Sequence, residues 1–347
     1  MVKQDCDTSI ETIFFIVYGF VGATAFIGNT FACVVFLQTE KFRQSKMNVL
    51  LVSLAVWDIL MSVFVAPFYA IYCGLGCEYP LMGYCWLMRG AKDCIKIGTT
   101  LNVYAITYDR YIAVMKPLQY SSKMTPKKVA AILSTVWILS VILALIRNIW
   151  QHNHDIDIRF ANKVYDSIIV LGFVVVLVIV MLITNVKIVA AIRKQRQREK
   201  RRLKNGCPAM SSQTRKGTVA CVTVVLVFVI CWIPRAIYNF SFVIDPPGLA
   251  NPLFFRICFL FLFLQSSLNP FIYWFYRREF RQAAFSVLKC HTVIERAEST
   301  VSTLRTVSFL SETGQSHQPF NENESISHLS QRGPPDIQLV SYNTSRA

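Results

Sequence analysis

What most constrains this chain is its division into seven apolar runs, each long enough to cross hydrocarbon as a helix. A bilayer core roughly 30 Å thick takes about 20 apolar residues, and every backbone polar group inside it must be satisfied within the protein. The runs are Thr12–Leu37, Asn48–Tyr72, Met82–Met115, Lys128–Ile149, Lys163–Ile192, Thr218–Ile244 and Pro252–Tyr276. They predict an all-α integral membrane protein, a bundle of seven transmembrane helices over residues 12–276. The third and fifth runs exceed the minimum, so they are expected to tilt or to project beyond the bilayer. A soluble chain of 347 residues would carry more than 16% charged residues beside 54% hydrophobic ones. No cleavable leader is expected, because the first run is long and no small-residue cleavage site follows it.

A net charge of +16 invites thoughts of nucleic acid, but the charges sit where topology wants them. Lys41, Arg43 and Lys46 follow the first run, and Lys116, Lys123, Lys127 and Lys128 follow the third. The richest block, Arg193 to Lys216, follows the fifth, whereas the loops Cys73–Leu81 and Asp245–Asn251 carry no Lys or Arg. Positive residues favour the cytoplasmic side, which predicts an extracellular amino terminus (residues 1–11) and a cytoplasmic tail in the plasma membrane. Topology and attraction to anionic lipid account for the charge, and a nucleic-acid partner is not expected.

The eleven cysteines do not read as a disulfide framework in so long a chain. Cys33, Cys94, Cys221, Cys231 and Cys258 fall within runs, where a small buried thiol is the expected role. Cys6, Cys73, Cys77 and Cys85 alone fall in or beside the oxidising exterior and are the disulfide candidates. Beyond the last run, residues 277–290 set Phe280, Ala284, Phe285 and Leu288 on one side, with Arg277, Arg278 and Arg281 free for headgroups. That pattern predicts a short amphipathic eighth helix lying in the interface, with Cys290 as a palmitoylation candidate. Residues 291–347 are polar, rich in Ser and Thr, and expected to be disordered.

Polar residues inside a membrane are costly and point to function by default. Asn29 follows Gly28 in the first run; Asp58 sits midway along the second; Asp109-Arg110-Tyr111 closes the third. The fourth carries Trp137, the sixth Cys231-Trp232-Ile233-Pro234, and the seventh Ser266-Ser267-Leu268-Asn269-Pro270-Phe271-Ile272-Tyr273. Pro234 and Pro270 each remove a backbone donor, and Asn269 needs a partner in hydrocarbon, so packing alone does not explain them.

Taken in order across the membrane domain, these landmarks resemble those of rhodopsin-like (class A) G-protein-coupled receptors. The resemblance implies a cell-surface receptor, not an enzyme, that binds an extracellular ligand and activates a heterotrimeric G protein. Asp109 would hold Arg110 by a charge-assisted bond. In the family this arginine swings to support the open state, and the residue matching Tyr273 moves in beneath it. Pro234 makes the sixth helix a lever about Trp232, and Phe228 resembles the aromatic that relays the motion. Arg110 with Pro117 and Leu118 resembles the docking surface for the G protein. Asp58, Asn29, Thr99, Ser266 and Asn269 match positions where the family builds a sodium pocket; a protonated or water-satisfied Asp58 is the alternative. No other cofactor is implied. Arrestin and receptor kinases are further implied partners, through Ser299, Thr300, Ser302, Thr303, Thr306, Ser308 and Ser311, beside membrane lipids. A transporter or channel is the competing class, for which inverted repeats and broken helices would be required. A non-signalling seven-helix binder is another.

The ligand end has its own chemistry. Arg89, Lys92 and Lys96 fall at i, i+3 and i+7 on one helical face. Lys96 lies 11 residues past Cys85, roughly 16 Å deeper at about 1.5 Å per residue. Arg235 and Arg147 are expected to join them, with Trp232 at the floor. Amine receptors of the family carry an aspartate where Lys92 stands, which disfavours an amine; opsins carry the retinal lysine where this chain has Phe263. The cationic face suggests an anionic or peptide ligand, against the alternative that Asp93 pairs the bases internally.

The chain also departs from the family pattern. Leu177 stands where the fifth helix usually has proline, and Asn185 where it has tyrosine, which puts the usual bulge in question. Thr100 replaces an aliphatic. Thr214 stands where some relatives carry an acid that locks Arg110, implying raised basal activity. The loop Asn148–Asn162 has no cysteine, so the usual bridge from Cys85 is excluded. Asn239-Phe240-Ser241 is a glycosylation sequon too close to the membrane for use.

Overall fold

Apolar stretches with few breakers can satisfy their backbone in hydrocarbon only as helix, and this chain does so along its length. In the computed structural model the described residues are 8–68, 85–150, 157–204, 213–244 and 252–289. The first helix is Thr8–Gln38, the second Lys46–Phe68, the third Cys85–Met115 and the fourth Pro126–Ile146. The fifth runs from Ile158–Asp166 through a π-helical stretch, Ser167–Val175, into Val176–Lys204. The sixth is Gln213–Ile244 and the seventh Pro252–Tyr276. Residues 278–289 form a further helix, and there is no strand among the described residues. The chain divides into Met1–Leu288, which holds the bundle, and Lys289–Ala347, of which Lys289 alone is described.

Six of the seven long helices are apolar enough, by length and composition, to cross a membrane. The third is not among them, because Arg89, Lys92, Asp93, Lys96, Asp109 and Arg110 interrupt it. Its neighbours explain how it is tolerated: it touches the second, fourth, fifth and sixth helices. The seventh helix closes the bundle against the first and the sixth. Lipid-length faces of the outer helices stay apolar and exposed, as at Ile13, Phe20, Ile142, Ile179, Ile183 and Ile230.

Helix ends follow local chemistry. Pro126 opens the fourth helix, where its missing N–H costs nothing, and Thr125 caps it by accepting from the Lys128 amide at 3.3 Å. At the end of the seventh, the Arg281 guanidinium donates to the carbonyls of Trp274 and Phe275, both at 3.1 Å, capping orphan acceptors. The π-helical stretch of the fifth helix forms although no proline is present. At its start the Ser167 hydroxyl donates to the Lys163 carbonyl at 2.7 Å, which competes with the regular ladder.

In lipid, helices associate through close packing rather than hydrophobic drive, so small residues decide where backbones meet. Gly28 lies so near Pro270 that a Cβ there would come within 2.9 Å of the ring. Gly98 is tighter: a Cβ would fall 2.4 Å from the Trp57 indole. That indole is pinned on its other side by Trp137, stacked at 3.9 Å and 19°, whose ring N–H donates to Ser53 at 3.2 Å. Asn102, one helical turn from Gly98, donates to the Leu50 carbonyl at 3.0 Å. Trp57 therefore has no room to retreat. Overpacking of a rigid core costs about 1–3 kcal/mol, and Gly98→Ala is expected to lower the thermal midpoint of the purified protein accordingly. Trp57→Leu in the same chain should restore part of the loss, which thermal unfolding of the double variant checks.

Candidate functional site

The polar side chains of the bundle gather at three levels. At one end, Arg110 donates from Nε to the Asp109 carboxylate at 2.8 Å, with a second contact from Nη2 to the same oxygen. The other carboxylate oxygen accepts from the Tyr120 hydroxyl at 2.9 Å. Both charged groups are buried, so the pair is closed on itself. Burial, and then the neighbouring Asp109 charge, push the Tyr120 phenol well above its ordinary range, so it stays a donor at neutral pH. Lys46 lies over the Tyr120 ring at 5.3 Å. Tyr273 is buried near Phe36 and Phe280, at 5.7 and 6.0 Å between centroids, and its hydroxyl has no partner. Beside this end, Leu118 is 100% exposed, and Pro117 is exposed too.

At mid-depth, Asp58 is wholly buried and accepts from the Asn269 amide at 2.7 Å through one oxygen. Its other oxygen has no partner, and the same holds for the side-chain oxygens of Asn29 and Asn269. Asn29 instead donates to the carbonyls of Ala25 and Ser266, at 2.8 and 2.9 Å, which ties the first helix to the seventh. Orphaned buried oxygens beside one carboxylate are the donor set that a hard monovalent cation prefers, so these residues fit sodium. A small cavity of about 10 Å³ lies close by, lined in part by Thr99, Ser266, Gln265, Lys96 and Trp232. Trp232 leans on Phe228, 5.6 Å between centroids, and its ring N–H is unpartnered. Pro234 withholds its N–H from the preceding turn, and its carbonyl accepts from the Cys258 thiol at 3.2 Å, linking the sixth and seventh helices.

At the far end stands a cluster of cations. Lys92, Lys96, Arg147 and Arg235 are each at most 8% exposed, and Asp93 among them is 2% exposed. Asp93 holds Lys96 at 3.0 Å and Arg147 at 2.8 Å, while Arg147 also pairs with Asp166. Arg147 lies 4.5 Å over the Tyr165 ring, and Tyr165 donates to the Leu143 carbonyl at 2.9 Å. Asn162 accepts from Arg147 at 3.4 Å and from the Trp150 ring at 3.2 Å. The fourth and fifth helices are thus clamped by ions and rings across a loop that has no cysteine. Lys92 and Arg235 have no acid of their own among the described residues. They share one aromatic ring instead, Phe259, with Lys92 Nζ 5.5 Å and Arg235 Cζ 5.4 Å from its centroid. A second small cavity, also about 10 Å³, is lined in part by Lys96, Asp93, Asp166, Tyr165 and Trp232.

Residues 28–273 match the family model of the seven-transmembrane receptors of the rhodopsin family. The chain belongs to that family. Its relatives include the histamine H2 receptor of Canis lupus familiaris, 29% identical over 312 residues, 86% of this chain and 84% of that protein. The human histamine H2 receptor is 28% identical over the same shares. The D(1A) dopamine receptor of Didelphis virginiana is 26% identical over 358 residues, 88% of this chain and 79% of that one.

Within this receptor the structure gathers Lys92, Lys96 and Arg235 around Trp232 and Phe259, while Arg89 is half-buried one turn further along the third helix. Internal pairing, weighed against a cationic pocket in the sequence, accounts for Lys96 and Arg147 and leaves Lys92 and Arg235 outside it. Asp109, Arg110, Tyr120 and Tyr273 are brought to one end, with Tyr111 half-buried beside them. Thr214 is helical but its side chain lies outside the described residues, as do Cys6, Cys73, Cys77, Cys290 and the side chain of Cys85. Cys221, Cys231 and Cys258 are buried thiols as expected, whereas Cys33 and Cys94 are only partly buried. Asn185 turns back on its own helix, donating to the Met181 carbonyl at 2.8 Å. Asn239 and Ser241 are buried, which removes that sequon from use. Sequence reasoning missed Asp166, Phe259 and Tyr120. Asp166 had a signal, an acid at the mouth of an apolar run; the rings had none.

Removing one partner of a buried charge set costs about 3–5 kcal/mol, because the remaining charge stays uncompensated. Asp93→Asn is therefore expected to destabilise the receptor more than Arg147→Met, which leaves Asp93 paired with Lys96. Thermal midpoints of the two variants in one detergent decide the order.

Proposed function

We propose that this receptor responds to an extracellular anionic ligand at the Lys92–Arg235 end by promoting nucleotide exchange on a heterotrimeric G protein at the Arg110 end. The basic segments after the first, third and fifth helices support a cytoplasmic Arg110 end, with the amino terminus outside and the tail inside. The observation that carries the reading is the closed Asp109–Arg110–Tyr120 set beside a fully exposed Leu118. A buried arginine held by its neighbour is a stored contact, available when the sixth helix moves. An exposed leucine next to it offers the apolar anchor that a docking partner buries. Trp232, Phe228 and Pro234 supply the mechanical link, since a helix lacking one backbone bond bends there first. The Ser/Thr-rich tail fits receptor kinases and arrestin once phosphorylated, Cys290 fits an acyl anchor, and residues 278–289 fit a helix resting on the headgroups.

Histamine and dopamine, named in the relatives, are cations at neutral pH. Lys92 and Arg235, buried side by side over Phe259, repel such a ligand and attract a carboxylate or phosphate. Sodium fits the Asp58 level, held by Asp58, Asn29 and Asn269 with Thr99 and Ser266 beside them; bound there, it would neutralise the carboxylate.

Arg110→Ala is expected to abolish agonist-driven nucleotide exchange while leaving surface expression intact, because the side chain lies far from the ligand end. Exchange at the wild-type rate in that variant would refute the coupling role. Asp58→Asn is expected to remove any sodium dependence of agonist affinity. A sodium effect that survives the substitution moves the ion elsewhere.

A further inference from the structure

Among the described residues, four buried cations meet two acids at the ligand end, and the pairing is unequal. Asp93 and Asp166 account for Lys96 and Arg147 through contacts of 3.0 and 2.8 Å and the direct Arg147–Asp166 pair. Among the described residues two positive charges are left over. Arg235 is 5% exposed, and its Nε and Nη1 donors have no partner. Lys92 is 7% exposed and rests on an aromatic ring, while the oxygens of its sequence neighbour Asp93 are in contact with Lys96 and Arg147 instead. The rings around Arg235, Tyr238 at 5.3 Å, Phe255 at 5.6 Å and Phe259 at 5.4 Å, attract a cation through their faces but leave its N–H groups unbonded. An ionised group removed from water without a counter-charge is strongly disfavoured. The fold retains two such groups on adjacent helices, against one shared ring.

We infer that the ligand of this receptor is a small dianion, a dicarboxylate or a phosphate monoester, whose two negative charges pair with Lys92 and Arg235 over the Phe259 ring. The inference rests on the reading of this end as the ligand-receiving one. The guanidinium offers Nε and Nη1 donors that no protein group accepts, and a negative oxygen can meet either; the ammonium takes the second charge as a point contact. Lys96 does not join them, since Asp93 holds it. A monoanion would leave one of the two cations as exposed to desolvation as before.

The inference separates from the coupling reading because it is tested without a G protein. Thermal midpoints of the purified receptor are measured with succinate, phenyl phosphate, butyrate or sodium chloride at matched ionic strength, for the wild type and for Lys92→Met, Arg235→Met and Lys96→Met. A saturable upward shift with succinate or phenyl phosphate is expected in the wild type and lost in Lys92→Met and Arg235→Met. Succinate alone identifies the dicarboxylate, phenyl phosphate alone the phosphate monoester. Without any anion, Lys92→Met and Arg235→Met should melt a few degrees above the wild type, since each removes an uncompensated buried charge. Lys96→Met should melt below it, because it breaks a pair. No dianion shift in the wild type overturns the inference, as does a butyrate shift equal to that of succinate. So does a lower midpoint in both Lys92→Met and Arg235→Met, which would mean that those cations are already paired. Should either variant fail to fold, the wild-type shifts decide. Nucleotide exchange, measured separately on the same preparations, bears only on coupling.

Discussion

The cost of a charge in hydrocarbon organises this molecule. Six ionised residues on one helix forbid that helix a lipid face, so the third helix must be enclosed by the others. Once it is enclosed, its acids and bases have to find partners from neighbouring helices. The Asp109–Arg110 pair and the chain of contacts from Lys96 through Asp93 and Arg147 to Asp166 are the result. The outward faces of the surrounding helices, free of that demand, stay apolar and need only pack.

The two ends of the third helix solve the same electrostatic problem differently. Near Arg110, one acid and one base neutralise each other, and Tyr120 completes the acid. Near Lys92, bases exceed acids among the described residues, and aromatic faces lie against the cations. Between the two ends lie Trp232 and Pro234, in a helix short of one backbone bond.

Much of this was legible in the residues. Length and apolarity located most helices to within a few positions, with the first beginning at Thr8 rather than Thr12 because a polar turn extends it outside the run, but the fifth continues past the expected Ile192 to Lys204, because its basic turns stay helical beyond the apolar run. The intramembrane landmarks Asn29, Asp58, Asp109, Arg110 and Asn269 are all buried in the bundle, and each is a polar residue whose cost in lipid marks it in the sequence. The pairing inside the cation cluster was not legible. It depends on Arg147 and Asp166, which are 19 positions apart and meet only because two helices return to the same face. Phe259 was invisible for a different reason: one phenylalanine among many in an apolar helix carries no mark of the cation it will face. The wide turn of the fifth helix shows the limit of pattern in the other direction, since it forms where the proline expected to cause it is lacking.

The contact between Gly98 and the Trp57 ring has a consequence for how such a chain can change over time. With Trp137 stacked on the opposite face and only 2.4 Å available for a Cβ, neither residue can be enlarged alone. Any lineage that replaces the glycine must first, or together, shrink the tryptophan, and shrinking the tryptophan strands its stacked partner. These positions on three helices form a single inherited character, open to concerted exchange and closed to single steps.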